Sequence, residues 1–126
     1  MARLQTSQKF IAAVYDFAVD GGAISSINMG IFIPNNAVVN RFFVKTNTAP
    51  TGATATISFG HAGDTDAFMV VNGIAAFVAG EDLQGVDFTA NPLEMTAFRQ
   101  LQITIATAAL TAGVLIACIA YTELDI

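Results

Sequence analysis

His61 is the one histidine in the chain, and it stands between Gly60 and Gly63, just ahead of Asp64 and Asp66. An imidazole with carboxylates nearby could serve as a general base or a metal ligand. A zinc site takes three or four His, Cys or carboxylate ligands, and this chain offers one His and one Cys. His61 is therefore read as a polar loop residue. Asp64-Thr65-Asp66 sets two carboxylates at alternate positions, as a Ca²⁺ site would use them, but that ion wants about 6–8 oxygens. The next alternate ligand and the closing Glu of an EF-hand loop are both missing. A turn whose Asp66 caps a short helical piece from Ala67 accounts for the same residues.

Cys118 lies among Ile116, Ala117, Ile119 and Ala120 with no basic neighbour in sequence. That setting predicts a buried, inert thiol rather than a nucleophile. Glu81, Asp82 and Asp87 are read as a solvated loop. No nucleophile elbow, Walker loop or dinucleotide fingerprint occurs. The carboxylate pair of a glycosidase can come from distant strands, so spacing alone does not address it. The lack of Trp and the presence of only two Tyr weigh against a sugar cleft. No catalytic, cofactor-binding or metal residues are expected, no cofactor is expected, and the chain reads as a non-enzyme.

The elements that would carry these residues are strands. From Leu101 to Tyr121, Leu101, Ile103 and Ile105 alternate with Gln102, Thr104 and Ala106, the period of a strand with one buried face. Gly113 offers a turn, and Val114–Tyr121 is apolar on both faces, as in a strand covered on both sides. The pair reads as a hairpin whose second strand sits mid-sheet. Upstream, residues 1–8 form a polar arm, and Lys9–Val19 is a strand closed by Asp20-Gly21-Gly22. Ile24–Ile33 is a strand with Gly30 as a possible bulge, ended by Pro34-Asn35-Asn36. Val38–Thr46 is a strand marked as partly exposed by Arg41 and Lys45, followed by a loop over 47–52. Ala53–Phe59 alternates most cleanly. The segment from Phe68 reads equally as helix or strand. Glu81–Pro92 is a loop with a short edge strand at Val86–Phe88. Residues 123–126 are a tail.

About seven or eight strands at this spacing predict an all-β antiparallel sandwich, jelly-roll-like, with an immunoglobulin-like sandwich as the runner-up. The length of 126 residues suits a single domain over 9–126 behind the 1–8 arm.

Charge is the informative total. Charged residues make up 12% of the chain against about 25% in ordinary domains. On a folded surface of roughly 6,400 Å² that is about one charge per 430 Å². Mean hydropathy is +0.60. Such a chain is either a membrane protein or a subunit that hides surface in an assembly. No apolar run approaches the roughly 20 residues of a spanning helix, the N-terminus lacks a secretory core, and aromatic girdles of a barrel have no Trp to build them. Assembly without a membrane partner is the reading that remains. A net charge of −5 with five scattered Lys and Arg argues against nucleic acid as a phosphate-bound partner.

Four phrases carry a resemblance. They are Val14-Tyr15-Asp16-Phe17 with Gly21-Gly22; Ile33-Pro34-Asn35-Asn36-Ala37-Val38-Val39; Ala55-Thr56-Ile57-Ser58-Phe59-Gly60 with Asp64-Thr65-Asp66-Ala67-Phe68; and the run from Leu101 to Gly113. With them the chain resembles small β-rich virion proteins of tailed bacteriophages, the head decoration or cement proteins. The resemblance implies a structural role on the capsid exterior of a virion, after synthesis in the host cytoplasm. It implies the major capsid protein as partner and a homo-oligomer, commonly a trimer. It carries no catalytic residues. The alternative is a receptor- or glycan-binding sandwich of a tail or spike; a small hydrolase would need a polar pocket that the residues do not announce.

Overall fold

The structure, a computed structural model, describes residues 5–88 and 91–125. Among them the alternating segments become nine strands: β1 (Gln5–Asp16), β2 (Ser25–Ile33), β3 (Ala37–Thr51), β4 (Thr56–His61), β5 (Asp64–Gly73), β6 (Asp82–Gln84), β7 (Leu93–Glu94), β8 (Arg99–Ala106) and β9 (Ala112–Asp125). A four-residue helix, α1 (Phe17–Asp20), and a 3₁₀ turn at Ile74–Ala76 interrupt them. One sheet runs β1-β9-β3-β6, with β7 also on β3, and the other runs β2-β8-β4-β5. The pairings are antiparallel. The chain crosses between sheets at β1–β2, β2–β3, β3–β4, β5–β6, β7–β8 and β8–β9. This is the expected antiparallel sandwich, with jelly-roll-like strand order; an immunoglobulin sandwich would pair its first two strands.

The inner faces meet in one apolar cluster. Leu101, Ile103 and Ile105 of β8 are buried in strict alternation, as their sequence predicts. They face Leu115, Ala117 and Ile119 of β9 and Phe42 and Val44 of β3. Between the layers the Phe42 ring lies 5.5 Å from Phe59 and 5.6 Å from Phe68. Aromatic rings at such spacings add to the burial energy.

Two local devices close the first corner. Asp16 accepts a hydrogen bond from the Ala18 amide at 3.0 Å and so caps α1. Tyr15, almost wholly buried, donates its hydroxyl to the Gly21 carbonyl at 2.5 Å. Strand character therefore stops at Asp16 rather than Val19.

Several expectations are corrected. Leu101–Ala106 and Val114–Tyr121 do not form a hairpin. They lie in opposite sheets, and residues 107–111 cross the roughly 10 Å between layers. Thr107 takes the positive φ of 71° at that crossing, and Leu110 plugs the end of the core. Gly113 lies within β9, where its α-carbon side packs on Pro50. The loop expected over 47–52 is mostly strand, because β3 runs on to Thr51 beside β9. Asp66 caps no helix; it lies in β5. The short edge strand is Asp82–Gln84, not Val86–Phe88. Of the 1–8 arm, residues 5–8 continue β1, held by β9 up to Asp125, so most of the expected tail is strand as well. Residues 1–4, 89–90 and 126 lie outside the described residues. The bulge at Gly30 is present: the β2–β8 register shifts between Asn28 and Phe32, and Gly30 has φ 80°.

Thr46 is a polar side chain inside the core, 1% exposed. Its amide donates to Glu81 O and its carbonyl accepts from the Gly80 amide. Among the described residues its Oγ1 has no partner. A buried hydroxyl without a hydrogen bond destabilises the fold. Thr46→Val is expected to add about 1 kcal/mol of stability, a rise in Tm of roughly 3–5 °C by thermal unfolding.

Candidate interaction surface

The outer face of the first sheet is built by register. The β1–β9 and β9–β3 pairings align three rows: Phe10, Ala120 and Arg41; Ala12, Cys118 and Phe43; Val14, Ile116 and Lys45. Alternation sends Ala13 and Tyr15 into the core and turns Phe10, Ala12 and Val14 outward. Phe10 is 61% and Val14 56% exposed. The Phe10 and Phe43 rings lie 6.1 Å apart, and the Arg41 guanidinium stands 4.6 Å from the Phe43 centroid. That cation–π contact, with Lys45 paired to Asp82 in register, makes a polar border on an apolar field. β9 is thus apolar on both faces although its outer face has no further layer of described residues above it. Exposed contiguous apolar surface of this kind marks an interaction site.

A second exposed pair lies on the other sheet. Phe32 and Phe98 stack at 5.1 Å with planes 13° apart, and both residues are exposed.

The residues with chemical potential are scattered. His61 is half-buried; its Nδ1 lies 2.8 Å from Ala62 O, which also accepts from Arg99 Nη1 at 3.3 Å. It borders a depression of about 110 Å³ shared with Asp64, Glu94 and Arg99. The hydrogen bond with Asp64 pushes the Asp66 carboxyl above its ordinary range. Among the described residues no three His, Cys, Asp or Glu side chains gather to hold a metal. A larger cleft of about 330 Å³ is lined by residues 40–42 and 84–88, with Arg41 and Asp87 as its charged members. Those lining residues include no Ser, Cys or His.

Cys118 is buried in the middle row, as its sequence surroundings predict. Burial pushes its thiol above the usual range, and Asp82 adds to the effect. The thiolate is the reactive form. Labelling of the native chain with a maleimide at neutral pH is expected to be on the order of tenfold slower than labelling in denaturant.

No family model and no curated protein matches this chain. Solved structures do match. A chain of the acid-stable capsid of the Helicobacter pylori bacteriophage KHP30 superposes with a TM-score of 0.69, covering 98% of this chain and 97% of that one at 13% identity. This chain shares its fold with a phage capsid chain. A chain of the cyanophage Pam1 capsid asymmetric unit gives 0.66, covering 94% and 86% at 16% identity. The fold shared with these capsid chains is the whole sandwich rather than a fragment of it.

Alternation along the strands does not mark Phe10, Val14, Phe43, Phe32 and Phe98 as surface residues. One signal for the face over β9 is present in the sequence, the two-faced apolarity of Val114–Tyr121, which is also the pattern of a strand covered on both sides.

Proposed function

We propose that this chain is a structural protein of a phage virion, a head decoration protein that binds the outer surface of the capsid and stabilises the shell. The observation that carries the reading is the near end-to-end fold likeness to chains of two phage capsids. The low charge and the bordered apolar face support it, since both suit a subunit that stays partly covered. The partners in this reading are the major capsid protein and other copies of this chain. Repeated weak contacts over a lattice give avidity without a large area per copy. The function is mechanical, so no residue acts as a catalyst.

Particles lacking the chain are the test. They are expected to release their genome at lower temperature and after milder osmotic shock than complete particles, and adding back the purified chain restores resistance. Equal tolerance with and without it overturns the reading. A tail or spike receptor-binding role would instead leave shell resistance unchanged and abolish attachment to cells.

A further inference from the structure

We propose that the free edge of β1 pairs antiparallel with the same edge of a second copy, about a two-fold axis at Ala12. This specifies the self-association in the preceding reading, and its test on the isolated chain stands apart from capsid binding. A sheet edge presents unpaired N–H and C=O groups, and proteins blunt such edges with charge, bulges or shortness. Three edges here are blunted. β5 carries Asp64 and Asp66 and two register shifts against β4. β2 breaks register at Gly30. β6 and β7 have three and two residues. β1 is different: all 12 residues pair β9 without a shift, none is Gly or Pro, and its charges are Lys9 and Asp16. Among the described residues no strand lies on its other side.

The choice of a second copy follows from the residues that would meet. A two-fold axis normal to a sheet sets residues of like parity opposite one another. With the axis at Ala12, Phe10 faces the partner's Val14, and Val14 the partner's Phe10. These are the large apolar side chains that β1 leaves exposed. Gln8 then faces the partner's Asp16, and no like charges oppose. Moving the axis to Ala13 would set Phe10 against Asp16; moving it to Ile11 would set Val14 against Gln8. The Ala12 register is thus self-complementary in shape and polarity. It joins the five-stranded sheet of each copy into one continuous sheet with a shared apolar outer face. A two-fold contact links oligomers to each other and does not itself close a trimer.

Sedimentation of the purified chain at about 100 µM tests it, since an edge contact falls at the weak end of interfaces. A dimer is expected. In a Cys118→Ser background, which removes the thiol beside Ala12, Ala12→Cys is expected to form an intermolecular disulfide under mild oxidation. The opposed Cβ atoms would lie about 5 Å apart, within small adjustment of disulfide reach. Val19→Cys, on the exposed α1, is the control, and cross-linking at Ala12 should run roughly tenfold faster. Ala12→Lys should sediment as a monomer with unchanged Tm, because like charges would then meet at the axis. A monomeric parent chain, or Ala12→Cys that cross-links no faster than the control, overturns the proposal and leaves the edge open to a foreign strand.

Discussion

Phe42→Ala is expected to cost about 3–5 kcal/mol, a large share of the roughly 5–15 kcal/mol that holds a domain together. The ring is 1% exposed and belongs to β3, in the first sheet. Both rings it touches, Phe59 and Phe68, belong to the second sheet. Removing it takes away the contact that bridges the layers and leaves a void that a sandwich of hydrogen-bonded strands cannot close by collapse. Thermal unfolding followed by circular dichroism should show Tm lower by about 10 °C or more. Phe10→Ala is the comparison: its ring is mostly in solvent, and the loss should stay within about 0.5–1 kcal/mol. Equal shifts for the two variants would contradict the assignment of core and surface.

Gly85→Ala is the second large effect, and its cause is backbone contact. After β6 the chain touches both sheets before it rejoins the first one as β7. The Gly85 amide donates to Phe42 O at 2.8 Å and the Val86 amide to Phe68 O at 2.9 Å. A Cβ at residue 85 would press into the Phe68 carbonyl oxygen and sit 2.8 Å from Phe42 Cδ1 and 3.0 Å from Phe42 O. Carbonyl groups held in strands cannot rotate away. Either the two hydrogen bonds lengthen or the sheets part, and overpacking plus a weakened bond comes to about 2–4 kcal/mol. The sign is diagnostic. Where space allows, Gly→Ala stabilises by about 0.4–1 kcal/mol through the unfolded chain. A gain in Tm would therefore refute the close approach. In a Phe42→Ala background the penalty should shrink, because one of the colliding groups has gone.

These two effects turn on layer-to-layer contacts, which alternation along a chain does not report. What it does report is which side of a strand is buried. Leu101, Ile103 and Ile105 were legible for that reason, as was Ile57 with Phe59. β3 was harder. Its register against β9 shifts between Val39 and Arg41, so buried parity changes from Val39 to Phe42 within one strand. A bulge of this kind breaks the period a reader follows. Pairing across the sandwich was illegible: β8 and β9 are neighbours in sequence, with a turn-rich link, yet they belong to different layers. Asp66 mimics a helix cap in sequence because Phe68 and Met69 are buried side by side in a strand that loses register, a pattern that resembles the start of a helix. The polar residues 5–8 looked like an arm because their composition says nothing of β9 waiting opposite. For the candidate surface, the apolarity of β9 was visible, but which face lacked a cover depended on where both sheets closed.

In the proposed role this sandwich coats a phage shell. A cryo-electron microscopy map of the assembled particle measures it most directly. Density for the sandwich on the outside of the head, repeated with the symmetry of the capsid lattice, is the expected result. A head without such density, or the sandwich found solely at the tail, would contradict it.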